Sequence, residues 1–169
     1  MIVKVRPRGG IAVLDWGAGA RRCAFGRGGI AHKEREGDGV TPVGNFPIRR
    51  VLYRADRLEA PGTLLACAAL APDDGWCDAP GDAAYNLPVA LPYRASAEAL
   101  WREDHLYDII VPLGFNDEPV VAGRGSAIFL HLARPDYGPT EGCLALGLAD
   151  LLALLAAARP GDILAIADR

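Results

Sequence analysis

A mostly-β or α+β domain is what this sequence predicts, and three observations predict it. Short apolar runs recur from end to end, each bounded by turn residues. Glycine and proline are abundant, 20 and 13 in 169 residues, which favours frequent turns over a bundle of long helices. Two segments read as helices, so helices decorate a strand-built body rather than form it. The length suits one domain with its own core. Neither a repeat nor a linker divides it, so residues 1–169 are expected to form a single domain.

The first 25 residues alternate IVKV, IAVLDW and RRCAF with glycines. They read as small strands of a meander, with Gly9-Gly10 and Gly17 to Gly19 as its turns. GRGGI (26–30) is a turn, because its glycine spacing falls short of a dinucleotide fingerprint and no helical pattern follows. GDGVTPVGNFPIRRVLY (37–53) is a glycine-proline turn cluster entering a strand. TLLACAALA (63–71) fits either a strand or a short helix. SAEALW (96–101) reads as a short helix, with Ser96 as N-cap and Glu98 in its first turn. YDIIVPL (107–113) is a strand followed by a GFND turn. SAIFL (126–130) is a fully buried strand that runs into His131.

The clearest helix is GLADLLALLAAARPGD. Leu148, Leu151, Leu152 and Leu155 fall at i, i+3, i+4 and i+7 and make one apolar stripe. Arg159 occupies its last turn, and Pro160-Gly161 ends it. DILAIAD (162–168) is the closing strand.

Charge and composition narrow the function classes. The formal net charge is −3, and Lys4 and Lys33 are the only lysines. No basic patch is present, so neither a nucleic acid nor an anionic membrane surface is an expected partner. No apolar run approaches the roughly 18 residues of a membrane span. The opening MIVKVRPRGGIAVLDWGAG lacks the continuous apolar stretch of a secretory signal, which leaves a cytoplasmic location open. A monomer is expected. Four cysteines occur, Cys23, Cys67, Cys77 and Cys143, without a C-x-x-C pair. Zinc-ribbon and thioredoxin readings are therefore weak. If Cys143 stays free, one disulfide at most can form, Cys67 with Cys77 being conceivable. Buried free thiols are the expectation.

The stretch HLARPDYGPTEGC (131–143) carries the chemistry. Cysteine is a nucleophile only as thiolate, with a free pKa near 8.5. A neighbouring imidazole can take its proton. His131 ends a buried strand and so has a rigid mount, and the loop Arg134 to Glu141 can fold Cys143 back toward it. Gly142 lets the backbone approach a substrate closely. The amides of Gly142 and Cys143 could face a developing oxyanion.

GSAIFLHLARPDYGPTEGCLAL resembles the catalytic signature of the L,D-transpeptidase (YkuD-type) family: a strand ending in histidine, a loop, then Ser/Thr-x-Gly-Cys and an aliphatic residue. His131, Thr140, Gly142, Cys143 and Leu144 fill those positions in order. Thr41, Pro42, Gly44 and Phe46 are similar to the family's Thr-Pro-x-Gly-x-Phe segment. The leucine-rich helix followed by PGDILAI is similar to its ending. The sequence departs from the common pattern at Leu132, Glu141 and Ala145, and Arg134 stands where it could supply a missing positive charge.

The resemblance implies a YkuD-like β-sandwich of short strands with a few short helices. It implies a cysteine-dependent L,D-transpeptidase acting on peptidoglycan stem peptides. Cys143 would be the nucleophile, forming a thioester, and His131 the base. The carbonyl of Leu132 would orient His131, and Gly142 and Cys143 would supply oxyanion amides. Arg134, Tyr137 and Thr140 would bind substrate, with Thr140 also shaping the turn. No metal or organic cofactor is implied. The family implies a periplasmic or cell-envelope location. An L,D-carboxypeptidase or another cell-wall cysteine hydrolase shares the same acyl-enzyme, and a non-enzymatic wall-binding module is the third reading. Other candidates read as structural. His32 is a solvated loop residue, and His105 a surface or capping one. Trp76, Tyr85 and Asn86 read as packing residues before groove-lining ones. Asp73, Asp74, Asp78 and Asp82 read as a solvated acidic loop that could attract a cationic amine.

Overall fold

The computed structural model describes residues 1–8 and 11–168. Strands make up 36% and a single helix 6%, so the β-rich expectation holds. The chain runs β1 (Ile2–Arg8), β2 (Ile11–Asp15), β3 (Arg21–Cys23), β4 (Ile30–Ala31), β5 (Thr41–Pro42), β6 (Gly44–Pro47), β7 (Val51–Tyr53) and β8 (Cys67–Ala69). It continues through β9 (Asp74–Cys77), β10 (Pro88–Ala90), β11 (Ala97–Ala99), β12 (Ile109–Pro112), β13 (Phe129–Leu132) and β14 (Leu144–Leu146). Helix α1 (Leu148–Ala157) and β15 (Ile163–Ile166) close it. The expected turn at Gly9-Gly10 lies outside the described residues.

Two five-stranded sheets form the body, ordered β3-β2-β1-β15-β6 and β14-β13-β12-β7-β8. Their facing side chains make one core: Val3, Val5, Leu14 and Leu164 from the first sheet, with Val51, Val111, Leu130 and Leu144 from the second. The body is thus a sandwich with α1 packed into the same core through Leu151, Leu154 and Leu155.

The second sheet is covered on its other face too. Successive residues of a strand point to opposite faces. On β13, Leu130 and Leu132 enter the sandwich core, while Phe129 enters a second cluster with Leu52, Ile110, Leu100, Trp76 and Tyr107. Trp76 and Leu100 come from the region of a small sheet, β10-β9-β11, laid against this outer face. Edge-to-face rings lock it there, with Trp76 and Phe129 centroids 5.1 Å apart and Tyr107 and Phe129 6.1 Å apart. Such aromatic pairs add about 1 kcal/mol each beyond their burial.

Several expected elements differ from what forms. SAEALW is not a helix: Ala97–Ala99 is β11, paired antiparallel to β9 with Glu98 opposite Trp76. A helix of six residues is marginal by itself, whereas the edge of β9 offers backbone partners. Ser96 is accordingly no cap; its carbonyl accepts from the Asp78 amide at 3.2 Å. One helix rather than two is present among the described residues. TLLACAALA contributes only the short strand β8, and the strand of SAIFL starts later, at Phe129.

The helix α1 buries Leu151, Leu154 and Leu155, while Leu148 and Leu152 are 41% and 36% exposed. Of the expected stripe, Leu151 and Leu155 face the core and Leu148 and Leu152 do not; Leu154 takes their place, since leucine and alanine fill the helix on every side. Arg159 lies beyond the last turn, which holds no basic residue. All four cysteines are free. Cys67 is exposed rather than buried, because β8 is the outermost strand of its sheet. No helix among the described residues is long and apolar enough to cross a membrane.

Candidate active site

The outer face of the second sheet carries both residues of the His–Cys pair. β13 and β14 run parallel, with His131 opposite Ala145 and Leu130 opposite Leu144. Cys143 precedes Ala145 by two positions and so shares its face. His131 and Cys143 therefore stand diagonally on adjacent chain segments of one face, and both line a single cleft of about 440 Å³. Buried leucines fix both backbones, Leu130 on the inner strand β13 and Leu144 and Leu146 on the edge strand β14, all almost wholly buried.

His131 is 5% exposed. Its Nδ1 lies 2.9 Å from the Leu132 carbonyl oxygen. A carbonyl only accepts, so Nδ1 carries the proton and Nε2 keeps its lone pair. The ring meets Tyr107 edge to face at 5.2 Å. Burial holds the imidazole pKa down at about 4, so the ring is neutral at pH 7.

The Cys143 thiol donates to the Ala127 carbonyl at 3.2 Å and accepts from the Phe129 amide at 3.3 Å. Burial pushes its pKa up to about 12. The resting pair is thus neutral thiol and neutral imidazole. The Phe129 amide is a donor already aimed at the sulfur, which favours a thiolate once one forms. Ala127 holds this geometry in a left-handed conformation, φ 52°. Its amide donates to Asn86 Oδ1 at 3.0 Å. Asn86 in turn accepts from Trp76 Nε1 and donates to the carbonyls of Phe115 and Asn116. Trp76, Tyr85 and Asn86 are all buried, so they pack and brace rather than line the cleft.

The turn before Cys143 is pinned from two sides. Thr140 Oγ1 donates to the Cys143 carbonyl at 2.6 Å and accepts from the Gly142 amide at 3.2 Å. Thr41 Oγ1 donates to the Gly142 carbonyl at 2.8 Å and accepts from the Gly26 amide at 2.8 Å. Gly142 itself has φ 133°, and a Cβ there would sit 2.9 Å from the Val40 carbonyl. Only glycine suits both conditions.

Of the residues singled out from sequence, His131, Cys143, Arg134 and Thr140 line the cleft together, with Asp78, Glu141 and Ala145. Leu132 reaches the site through its carbonyl alone, its side chain being in the sandwich core. The Gly142 amide is occupied by Thr140 rather than open to the cleft. Tyr137 lies elsewhere: Arg22 stacks 4.3 Å over its ring, and it lines a separate smaller cavity with Phe25 and Pro139. His105 is a surface residue, paired with Asp108 at 2.7 Å.

The cleft also has walls that sequence reasoning missed. Lys33 and Glu36 come from the loop before β5, Glu98 from β11, Arg102 and Tyr107 from the segment before β12, and Ser126 from the segment before β13. Asp78, just after β9, joins them; of the acidic loop that the sequence offered to a cationic amine, it alone lines the cleft. Their only common signal is spatial. Lys33 is buried and paired with Asp38. Arg102 is paired with Asp104 at 2.6 Å.

The arrangement sets a buried imidazole of fixed tautomer and a cysteine thiol in one cleft. Paired groups of this kind can support acyl transfer through a thioester. The YkuD family, the L,D-transpeptidase catalytic domain, matches residues 6–166. No curated protein and no solved structure matches the chain. With its β-sandwich and its match along nearly the whole length, the chain belongs to the L,D-transpeptidase catalytic domain family, a family of peptidoglycan-modifying enzymes.

Proposed function

We propose that the protein is a cysteine L,D-transpeptidase that forms 3→3 cross-links between peptidoglycan stems. The observation that carries the reading is His131. It is buried and neutral, its Nδ1 is tied to Leu132, and it shares one sheet face and one cleft with Cys143.

Cys143 attacks the carbonyl that joins the third, diamino acid residue to the terminal D-alanine of a tetrapeptide stem. His131 Nε2 takes the thiol proton as the S–C bond forms. The Cys143 amide supports the oxyanion, joined by the Gly142 amide once it leaves Thr140. The tetrahedral intermediate collapses, and His131 returns the proton to the departing D-alanine amine. The side-chain amine of a second stem then attacks the thioester, losing a proton to His131 and releasing the thiol. Arg134 is exposed on the cleft rim without a carboxylate partner among the described residues, and it binds a stem carboxylate. The substrate lies in the cell envelope, so the reading puts the protein's work there.

Mass spectrometry of muropeptide products tests it. Wild type and Cys143→Ala are each incubated with disaccharide-tetrapeptide. A 3→3 dimer from wild type alone is the expected result. Tripeptide with free D-alanine and no dimer would make the enzyme an L,D-carboxypeptidase. Unchanged substrate with both proteins would remove the tetrapeptide as donor.

A further inference from the structure

One end of the cleft carries carboxylates in excess. Glu36, Asp78 and Glu98 all line it, and none has an ion-pair partner among the described residues. Glu98 lies on β11 and Asp78 directly follows β9, its amide still bonded to the Ser96 carbonyl at 3.2 Å. Glu98 pairs with Trp76, two residues before Asp78, so the two carboxylates share a face. The Glu98 carboxyl is acted on through space by Arg102 first, then by Asp78 and Glu36, so one cation and three carboxylates lie within reach of one another. Glu98 accepts from the Tyr107 hydroxyl at 2.6 Å, and Glu36 accepts from the Tyr85 hydroxyl. Each keeps further lone pairs.

The neighbouring cations are committed elsewhere. Lys33 is tied to Asp38. Arg102 is tied to Asp104 at 2.6 Å and stacks 5.0 Å over the Tyr107 ring.

A second observation points to a ligand. Ser126 is 5% exposed, lines the same cleft, and its hydroxyl makes no hydrogen bond of normal geometry, with the Tyr85 hydroxyl as a polar neighbour. Asp78 Oδ1 is likewise buried and unpartnered. Buried polar atoms are nearly always satisfied, so two orphans in one cleft mark a place where something else binds. Where unpaired carboxylates supply these acceptors, a cationic donor is favoured over a neutral one. A primary ammonium carries three N–H donors and one charge, which suits three carboxylates and a hydroxyl.

We propose that Glu36, Asp78, Glu98 and the Ser126 hydroxyl form a subsite for a primary ammonium, the charged end of a diamino acid side chain. The choice of substrate class rests on the transpeptidase reading above. The ammonium comes either from the donor stem or from the acceptor stem. The small sheet that carries Asp78 and Glu98 is then a specificity element, not just a cover for the apolar face.

The test uses two stems: a tetrapeptide with diaminopimelate at its third position, and the same peptide with the side-chain amine acetylated. Titration calorimetry gives Kd for each on the Cys143→Ala protein, which cannot be acylated. Acetylation is expected to weaken binding about tenfold or more, and the effect should fall below about twofold when Asp78→Asn and Glu98→Gln are added. Equal Kd values for the two stems on Cys143→Ala overturn the subsite. So does an acetylation effect that survives both substitutions. Should the charge-neutral variants fail to fold, the two stems on Cys143→Ala decide alone.

Thioester formation on wild type is followed in parallel by intact mass. Given the Kd difference, slower acylation by the acetylated donor assigns the ammonium to the donor stem. Equal acylation rates assign it to the acceptor. A Kd difference with no thioester on Cys143 supports the subsite and overturns the transpeptidase reading. A thioester with equal Kd values does the reverse.

Discussion

Thr41 donates its hydroxyl proton to the carbonyl of Gly142, 2.8 Å away and 101 positions along the chain. The same oxygen accepts from the Gly26 amide. One fully buried side chain thus joins the glycine turn at Gly26, the start of β5 and the turn that presents Cys143. The Thr-Pro-x-Gly segment is a brace for the Cys143 turn.

Replacing that hydroxyl by a methyl should expose its value. Thr41→Val keeps the shape but strands a buried N–H and a buried carbonyl. Each orphaned group costs about 1–3 kcal/mol. Urea unfolding should show a loss in that range, with activity falling by more than stability explains, because the Cys143 turn loosens.

Asn86 braces the other side of the sulfur. Asn86→Ala removes four hydrogen bonds, including the one to Ala127, whose carbonyl receives the thiol. Buried networks of this kind cost about 2–4 kcal/mol when cut. A melting curve checks the loss. Near-wild-type stability would mean that water replaces the amide.

Stability should fall on mild acidification. The folded pKa of His131, about 4, lies below its ordinary value of 6.5 because burial disfavours the cation. Between those values the unfolded chain binds a proton that the native state does not, so stability rises with pH across that window. It is fully present above pH 6.5 and is lost as pH falls toward 4, by an amount on the order of 3 kcal/mol. Urea midpoints at pH 7 and pH 4.5 measure it. His131→Gln should show a shallower slope.

Thiol accessibility should order the cysteines. Iodoacetamide followed by peptide mapping should label Cys67 first, because it is exposed. Cys23 and Cys77 are fully buried and should stay protected until the protein unfolds. Cys143 opens onto the cleft but is held as a thiol, so it should react more slowly than Cys67 in the free protein.

Much of this site was legible because two of its residues sit in one short stretch. His131 ends an apolar run, and a glycine, a threonine and Cys143 follow at fixed spacing. The small sheet was not legible. SAEALW has helical composition, and only the free edge of β9 makes it extended. With Glu98 assigned to a helix, its place beside Asp78 could not be seen. The cleft wall drew Lys33, Glu36, Asp78, Glu98 and Ser126 from four separate segments with no shared periodicity. Asp78 read as one of four acids in a solvated loop that could attract a cationic amine, and only the fold separates it from Asp73, Asp74 and Asp82 by putting it in the cleft. Tyr137 showed the opposite error: closeness in sequence to Thr140 did not bring its ring to the cleft. In α1, leucine on every side hid which stripe faced the core.

The transpeptidase reading requires Cys143 to take up the stem peptide as a thioester. Wild-type protein is mixed with disaccharide-tetrapeptide, quenched in acid and weighed intact, then digested and mapped. The account predicts an adduct equal to the tetrapeptide donor less D-alanine, carried on the Cys143 peptide and absent from Cys143→Ala. A covalent adduct on any other residue, or turnover of the substrate by Cys143→Ala, would contradict it.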